Sequence, residues 1–177
     1  MTINRRQFIV NTLITAIAGS TLIACSQSTA SKSISAMEID PRSTCDLDGM
    51  LLADYPGPKA QIFFEGKDTP TFFCDTVEMF NTLLSPEQVK AVSAAYVQDM
   101  GKADWDQPRG NWILAKDGVY VLGSKRHGSM GPTIASFAQE ADAKKFVGEW
   151  GGKFLRYAEI KSDMVDLSGG ALHDTRM

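Results

Sequence analysis

The sequence predicts an α+β fold in which two tandem β-β-α-β units share one core. Between residues 60 and 157 the same order of short apolar runs, a glycine-containing turn and a helix-like stretch occurs twice. Neither stretch alone has enough apolar surface to bury a core of its own. Packing the two stretches against each other is therefore the simplest way to fold this length of chain.

The first repeat is predicted from strand and helix-start signals. A turn at residues 66–68 separates two runs rich in Phe, Ile and Thr. Asp75 is then placed as a helix N-cap, and Glu78 three residues later completes a capping box. The strands are predicted at Ala60–Phe64, Thr71–Phe73 and Ala94–Val97.

The second repeat follows the same order. A turn at residues 116–118 lies between its first two apolar runs. A helix is predicted from Glu140 to Val147, ended by Gly151 and Gly152. The strands are predicted at Asn111–Ala115, Val119–Leu122, Thr133–Phe137 and Lys153–Tyr157.

The N-terminus is typical of an export signal. Arg5 and Arg6 precede an apolar run that ends at Ala24 and is short for a membrane span. Leu22–Cys25 resembles the lipobox of bacterial lipoproteins, which predicts a signal peptide at residues 1–24 and lipidation of Cys25. The alternative is an ordinary cleaved signal with an incidental cysteine. The arginine pair also resembles a twin-arginine signal, so the sequence leaves the export route open between Tat and Sec.

The rest of the chain divides into three segments by composition. Residues 25–43 are rich in serine and are predicted as a flexible linker from the lipid. Residues 44–160 form the folded domain, and residues 161–177 are predicted as a loosely ordered tail. Without residues 1–24 the chain has 16 Lys and Arg against 21 Asp and Glu, a net charge of −5. Since no basic stripe remains, we expect no nucleic-acid partner.

Two glycine-flanked loops contain sulfur. One holds Cys45, Asp48 and Met50, and the other holds His127 and Met130. Thiolates and thioethers are soft ligands that favour Cu(I) over hard cations. Neither loop has the paired Cys or His spacing of a structural zinc site. These sulfur atoms form one metal site only if the two loops converge.

Each of these residues also has an ordinary structural interpretation. Methionine often fills gaps in a core, and His127 is equally consistent with a solvated loop. Cys45 and Cys74 could pair as a disulfide in an oxidising compartment, or Cys74 could be a buried, inert thiol at the end of a strand. The sequence shows no nucleophile with an adjacent base, so we do not expect an enzyme.

Four separated blocks resemble the NosL family, and the likeness runs from Cys45 to Ile160. The blocks are Asp48–Ile62, Phe73–Thr76, Tyr96–Lys102 and Gly128–Thr133. The resemblance implies a periplasmic lipoprotein with tandem β-β-α-β units that binds one Cu(I). It also implies delivery of that copper to apo nitrous oxide reductase for its catalytic copper–sulfur cluster (CuZ). We further expect a monomer or weak dimer. Serine at position 26, directly after the lipidated cysteine, resembles the residue found there in lipoproteins that are sorted to the outer membrane.

One departure from the family pattern affects the expected ligands. Many relatives have cysteine directly before Gly-Met, where this chain has Asp48, so the thiolate role passes to Cys45. The ranked ligands are then Cys45 and Met130, followed by Met50 and Asp48, with His127 last. Two other functions stay open: a metal-free, lipid-anchored scaffold for the reductase, and a thiol–disulfide enzyme.

Overall fold

A computed structural model describes residues 34–167 and shows the predicted α+β fold. The predicted signal peptide, Cys25 and residues 168–177 of the predicted tail lie outside the described residues. The two helices are α1 (Thr76–Leu84) and α2 (Glu140–Trp150). The strands are β1 (Ala60–Phe64), β2 (Thr71–Phe73), β3 (Val92–Gln98), β4 (Trp112–Leu114), β5 (Val119–Leu122), β6 (Ile134–Phe137) and β7 (Lys153–Arg156).

The predicted repeat is confirmed in the connectivity of two antiparallel sheets. The first sheet has the order β2-β1-β3-β4, and the second has the order β6-β5-β7. In both units the first strand is central, the second and third strands flank it, and the helix follows the second strand. The units are therefore β1-β2-α1-β3 and β5-β6-α2-β7.

The strand predicted at Asn111–Ala115 belongs to the first sheet, and its assignment to the second unit was wrong. It is observed as β4, which pairs with β3 so that Gln98 lies opposite Trp112. Residues Ala115–Asp117 form a 3-10 turn between β4 and β5. That turn redirects the chain, so β4 and β5 do not form the hairpin that their spacing suggests.

The helix ends follow the predicted local signals. Asp75 accepts a hydrogen bond from the Val77 amide at 2.9 Å, and Glu78 accepts one from the Asp75 amide at 3.3 Å, which completes the capping box of α1. Helix α2 extends three residues beyond its predicted end. It stops at Gly151, whose φ of 72° a residue with a Cβ rarely adopts.

One hydrophobic core joins the two units. Its buried side chains come from both sheets and from α1, and include Ile62, Phe80, Tyr120 and Leu155. The rings of Phe80 and Tyr120 meet edge to face with centroids 5.1 Å apart. Because α1 of the first unit packs on Tyr120 of the second, neither unit is complete without the other.

The folded part extends beyond the predicted bounds 44–160 at both ends. In the segment predicted as linker, the backbone of Met37 exchanges two hydrogen bonds of 2.9 and 2.8 Å with the side chain of Gln61, and Ile39 is buried. In the predicted tail, Val165 is buried and its carbonyl accepts a hydrogen bond from Asn81. Sheet and helix side chains thus hold both segments. Within this described range, the helices are too short or too polar to cross a bilayer.

Candidate metal centre

Cys45 lies at the base of a short hairpin loop, defined here as residues 44–51. Thr44 and Leu51 form a bridge, the Cys45 amide donates to the Met50 carbonyl at 2.8 Å, and the Gly49 amide donates to the Cys45 carbonyl at 2.9 Å. These bonds turn the Cys45 side chain inward, where it is 2 % exposed, while residues 46–49 are exposed. The loop therefore presents one thiol to the protein and its own tip to solvent.

The loop that carries Met130 is fixed to the first unit by side-chain hydrogen bonds. The Ser129 hydroxyl donates to the Cys74 carbonyl at 2.6 Å, and the Thr133 hydroxyl donates to the Asp75 carboxylate at 2.7 Å. Both acceptors lie at the start of α1. The loop that carries Met130 is consequently held beside Cys74, although the two are far apart in the sequence.

Two glycines allow the loops around the site to approach each other closely. Gly57 has a φ of 83°, and a Cβ at this position would lie 2.6 Å from the Cα of Gly128. A Cβ at Gly128 would in turn lie 2.3 Å from a carboxylate oxygen of Asp75. Both distances are too short for a real Cβ contact, so the crossing of the two backbones requires glycine at 57, and the packing of the Asp75 carboxylate requires glycine at 128.

Both thiols donate to the same carboxylate oxygen. Glu78 Oε2 lies 3.2 Å from Cys45 Sγ and 3.3 Å from Cys74 Sγ. The same oxygen accepts the backbone N–H groups of Cys74 at 3.1 Å and Asp75 at 3.3 Å. Glu78, expected only as a capping residue, therefore also orients the two thiols. Cys45 and Cys74 are present as free thiols.

Asp48 completes a compact group of four potential metal ligands. Its Oδ2 lies 3.9 Å from Cys74 Sγ, and its Oδ1 accepts the Met50 amide at 2.9 Å. One ligand atom each from Cys45, Asp48, Cys74 and Glu78 lies within 4.8 Å of the other three. Asp48 is the exposed member, so the group opens to solvent on its side.

The predicted methionines lie on the same cluster. Met50 and Met130 are partly buried and pack against a small core formed by Ile39, Leu52 and the two cysteines. The structure thus brings together Cys45, Asp48, Met50 and Met130, four of the five residues that the sequence nominated. The fifth, His127, is exposed and outside the ligand group; its carbonyl accepts a hydrogen bond from the Trp105 indole at 3.0 Å.

Buried ionisable side chains adjoin the two thiols. Lys59 is fully buried, and its ammonium donates to the carbonyls of Pro56 at 2.8 Å and Cys74 at 3.1 Å. Burial lowers the pKa of Lys59 to about 8, against the opposing effect of Asp75. Burial likewise raises the pKa of Asp75 to about 6 and raises the pKa of Glu78. The lysine supplies a positive charge under an otherwise acidic site.

Hydrogen bonding to Cys45, burial and the Glu78 charge all raise the pKa of Cys74. In the metal-free protein this thiol therefore stays protonated. A bound soft cation has the opposite effect, because a coordinating thiol is deprotonated outright. Cys74 thus retains its proton until a metal displaces it.

Sequence reasoning missed Cys74 and Glu78 as members of the site. Cys74 directly precedes the N-cap of α1, and a cysteine at a helix N-terminus is a recognised environment for a functional thiol. That signal was present in Phe73–Glu78. Nothing in the sequence indicated that residues 44–51 fold back onto this helix end. In the structure the Asp46 amide donates to the Phe72 carbonyl at 2.9 Å and holds them there.

Comparison with known proteins gives consistent matches. The sequence profile of the NosL family matches residues 36–165. The "Copper-binding lipoprotein NosL" of Achromobacter cycloclastes is 40 % identical over 157 residues, which cover 86 % of this chain and 81 % of that protein. The protein of the same name from Stutzerimonas stutzeri is 38 % identical over 135 residues, covering 73 % and 70 %.

A solved structure matches the same region. The crystal structure of the copper chaperone NosL from Shewanella denitrificans superposes with a TM-score of 0.71 at 37 % sequence identity. The match covers 73 % of this chain and 98 % of that one.

Proposed function

The chain belongs to the NosL family, and on that premise we propose that it carries copper in the bacterial cell envelope. It binds one Cu(I) and passes it to apo nitrous oxide reductase for assembly of the catalytic copper–sulfur cluster (CuZ). The relatives are named as copper-binding lipoproteins, and the matching structure is that of a copper chaperone. The observation that carries the proposal is the convergence of cysteine and methionine from separate loops on one small cluster.

The thiolate of Cys45 and the thioether of Met130 are the first ligands we propose. Met50 is the next sulfur in the cluster, and the position of Cys74 adds it as a second thiolate. Cu(I) prefers these soft donors to oxygen. We assign Asp48 a weaker role at the exposed side of the site, and His127 remains last because it lies outside the group of four ligand atoms.

Transfer to the client proceeds by ligand exchange. Asp48 and its neighbours at the hairpin tip are exposed, so an incoming thiolate or imidazole approaches from that side. The client ligand binds copper before the last carrier ligand leaves, which avoids a free ion. A hairpin held mainly by a few backbone bonds suits this step better than a rigid four-ligand cage.

The carrier acts at a membrane surface. Lipidation at Cys25 after removal of residues 1–24 anchors the chain in the periplasm, and Ser26 favours the outer membrane. The lipoprotein name of both relatives supports this location. Mass spectrometry of the protein from membranes should show an N-terminal, diacylglycerol-modified Cys25; an unmodified cysteine would remove the anchor from the proposal.

A competition titration with a cuprous chelator tests the copper role. We expect one Cu(I) per chain, and we expect Cys45→Ala and Met130→Leu each to weaken binding strongly. Met164→Leu is the matched control, because Met164 is also partly buried but packs in the shared core away from the thiols. Equal affinities in all three variants would reject the site.

A second measurement separates a carrier from a scaffold. If copper transfer is the role, a strain with Cys45→Ala should produce nitrous oxide reductase that lacks its catalytic cluster. Normal maturation in that strain would favour a metal-free scaffold.

Titration of the purified protein with Zn²⁺ is the selectivity control for the copper titration, since Zn²⁺ also accepts cysteine and carboxylate ligands.

A further inference from the structure

The two cysteines of the metal site also have the arrangement of an oxidisable pair. Their sulfur atoms lie within 4.8 Å of each other and both donate to Glu78 Oε2. A disulfide needs an S–S distance of about 2.05 Å. Closing the gap therefore requires an approach of no more than about 2.8 Å.

The Cys45 side can supply that movement. Cys74 is fully buried at the start of α1, where Ser129 and Lys59 hold its carbonyl. Cys45 is also buried, but it belongs to the hairpin loop 44–51, which lies outside strands β1–β7, is bonded to β2 through the Asp46 amide and exposes its tip. Local opening of such a loop costs far less than global unfolding. The hairpin can thus move Cys45 both toward Cys74 and toward solvent.

We propose that Cys45 and Cys74 form a reversible disulfide in the copper-free protein, and that this bond controls when copper can be loaded. The copper part of the proposal rests on the function proposed above. The oxidant is a dithiol–disulfide partner in its disulfide form, of the kind that keeps an oxidising compartment oxidised.

The reaction balances in two exchange steps. The Cys45 thiolate attacks one sulfur of the partner disulfide, which gives a mixed disulfide and releases one partner thiol. The Cys74 sulfur then attacks the Cys45 sulfur, and its proton passes to the departing partner thiolate, which leaves as the second partner thiol. Two thiols of this chain lose two electrons and two protons, and one partner disulfide gains them. A reduced dithiol reverses both steps.

Copper and the disulfide exclude each other because they use the same sulfur atoms. A thiolate bound to Cu(I) is not available to attack a disulfide, so the loaded carrier is protected. Once copper has left, the pair is free to oxidise, and the oxidised site offers only thioethers and carboxylates. Reduction must then precede the next loading, which makes delivery directional.

The test uses the full chain purified in detergent, free of metal. The protein is incubated with oxidised glutathione, alkylated and digested, and the peptides are identified by mass spectrometry, which distinguishes Cys25 from the other two cysteines. We expect a Cys45–Cys74 linkage in copper-free protein and at least about tenfold less of it after loading with one Cu(I). Glutathione on Cys45 with no Cys45–Cys74 linkage would overturn the inference.

Copper affinity of the two redox forms is measured next. The oxidised protein should bind Cu(I) more than about 100-fold less tightly, since loss of a supporting residue alone costs 10–100-fold. Reduction with a dithiol, followed by its removal, should restore binding. Cys74→Ser is the matched control, because it keeps Cys45 but lacks the second thiol: the same oxidation should leave Cys45 joined to glutathione, which mass spectrometry distinguishes from the internal linkage.

The outcomes separate this inference from the proposed function. Copper binding without any linkage would leave the carrier in place and remove the redox pair. A linkage in a protein whose reduced form binds no Cu(I) would overturn the carrier and the control of loading together. Oxidised protein that binds copper as tightly as reduced protein would overturn the control of loading alone.

Discussion

The two repeats have the same connectivity but differ in chemistry where the second strand meets the helix. In the first unit, Phe73–Glu78 provides a thiol, a buried aspartate cap and a glutamate that accepts four hydrogen bonds. The corresponding residues Phe137–Asp142 provide no sulfur, and Gln139 makes no side-chain cap. The two units therefore share a backbone arrangement, and only the first has potential metal ligands at this junction.

The two junctions also differ in how their charge is placed. Asp75 is fully buried next to the first-unit lysine Lys59, whereas the equivalent Gln139 is neutral and exposed. At the residue before the cap, Cys74 donates its amide to Glu78, while Ala138 donates its amide at 2.9 Å to Asp99. Functional sites often retain such costly buried groups. The second junction lacks these buried charged groups and still connects a strand to a helix in the same way.

Replacing Cys74 by alanine, the residue of the second junction, should have the largest effect. The site then loses one thiolate, and Cu(I) affinity should fall by more than about 100-fold. The swapped variant Cys74→Ala/Ala138→Cys is the control, since a thiol at the second junction has no Cys45 beside it. Chelator competition measures both; unchanged affinity in Cys74→Ala would limit the site to Cys45 and the methionines.

The next largest effect concerns the glutamate. Glu78→Ala leaves two buried amides without their acceptor, and should lower the free energy of unfolding of the metal-free protein by about 2 kcal/mol. Asp142→Ala, at the equivalent place in α2, removes mainly a charge in the first turn and should cost less than about 1 kcal/mol. Urea denaturation compares them, and equal losses would mean that the first junction has no special role in stability.

A smaller effect is expected from pH. The folded-state pKa of Asp75, about 6, is above its ordinary value of 3.8, so between these values the folded chain retains a proton that the unfolded chain has lost. Asp75 alone should therefore make stability fall as pH rises from 4 to 6, by at most about 1.4 kcal/mol per pH unit.

Asp75→Asn, which keeps a capping side chain, should reduce this slope without removing it. The raised pKa of Glu78 acts with the same sign and remains in the variant. Urea denaturation at a series of pH values measures the slope. An identical slope in the variant would assign the pH dependence to Glu78 and other groups.

The smallest expected change is a gain in the second unit. Gln139→Asp gives α2 the cap that α1 already has, and should raise the free energy of unfolding by about 0.5–1 kcal/mol. The exposed position of Gln139 makes the substitution easy to accommodate. Thermal denaturation measures the gain. A loss of stability would show that the backbone before α2 does not adopt the capping geometry seen before α1.

Local signals in the sequence were sufficient for the elements and for the repeat. The Asp75–Glu78 capping box and the glycines after α2 act within one turn of a helix, so their effect is visible in the sequence. The partner of β4 was not visible, because a three-residue strand pairs with either neighbour equally well until a turn selects one. The same holds for Met37 and Gln61, whose hydrogen bonds join distant residues.

The sequence was sufficient to predict sulfur ligands at the candidate site, but not how the loops that carry them come together. The soft side chains of Cys45 and Met130 indicated the class of ligand from their chemistry alone. Their approach depends on Ser129 and Thr133, which bind the start of α1 by hydrogen bonds across more than fifty residues. No local pattern marks such bonds, and Cys74 was therefore interpreted as an ordinary buried thiol.

The contact between Gly57 and Gly128 sets a property that no side chain in the site controls. Where two backbones touch directly, there is no rotamer that can lengthen or shorten the spacing between the segments. The spacing between these two segments is therefore set by backbone contact alone. An added methyl group at Gly57 would meet the backbone of Gly128, so it would push apart the segment that contains Gly57 and the loop that carries Met130.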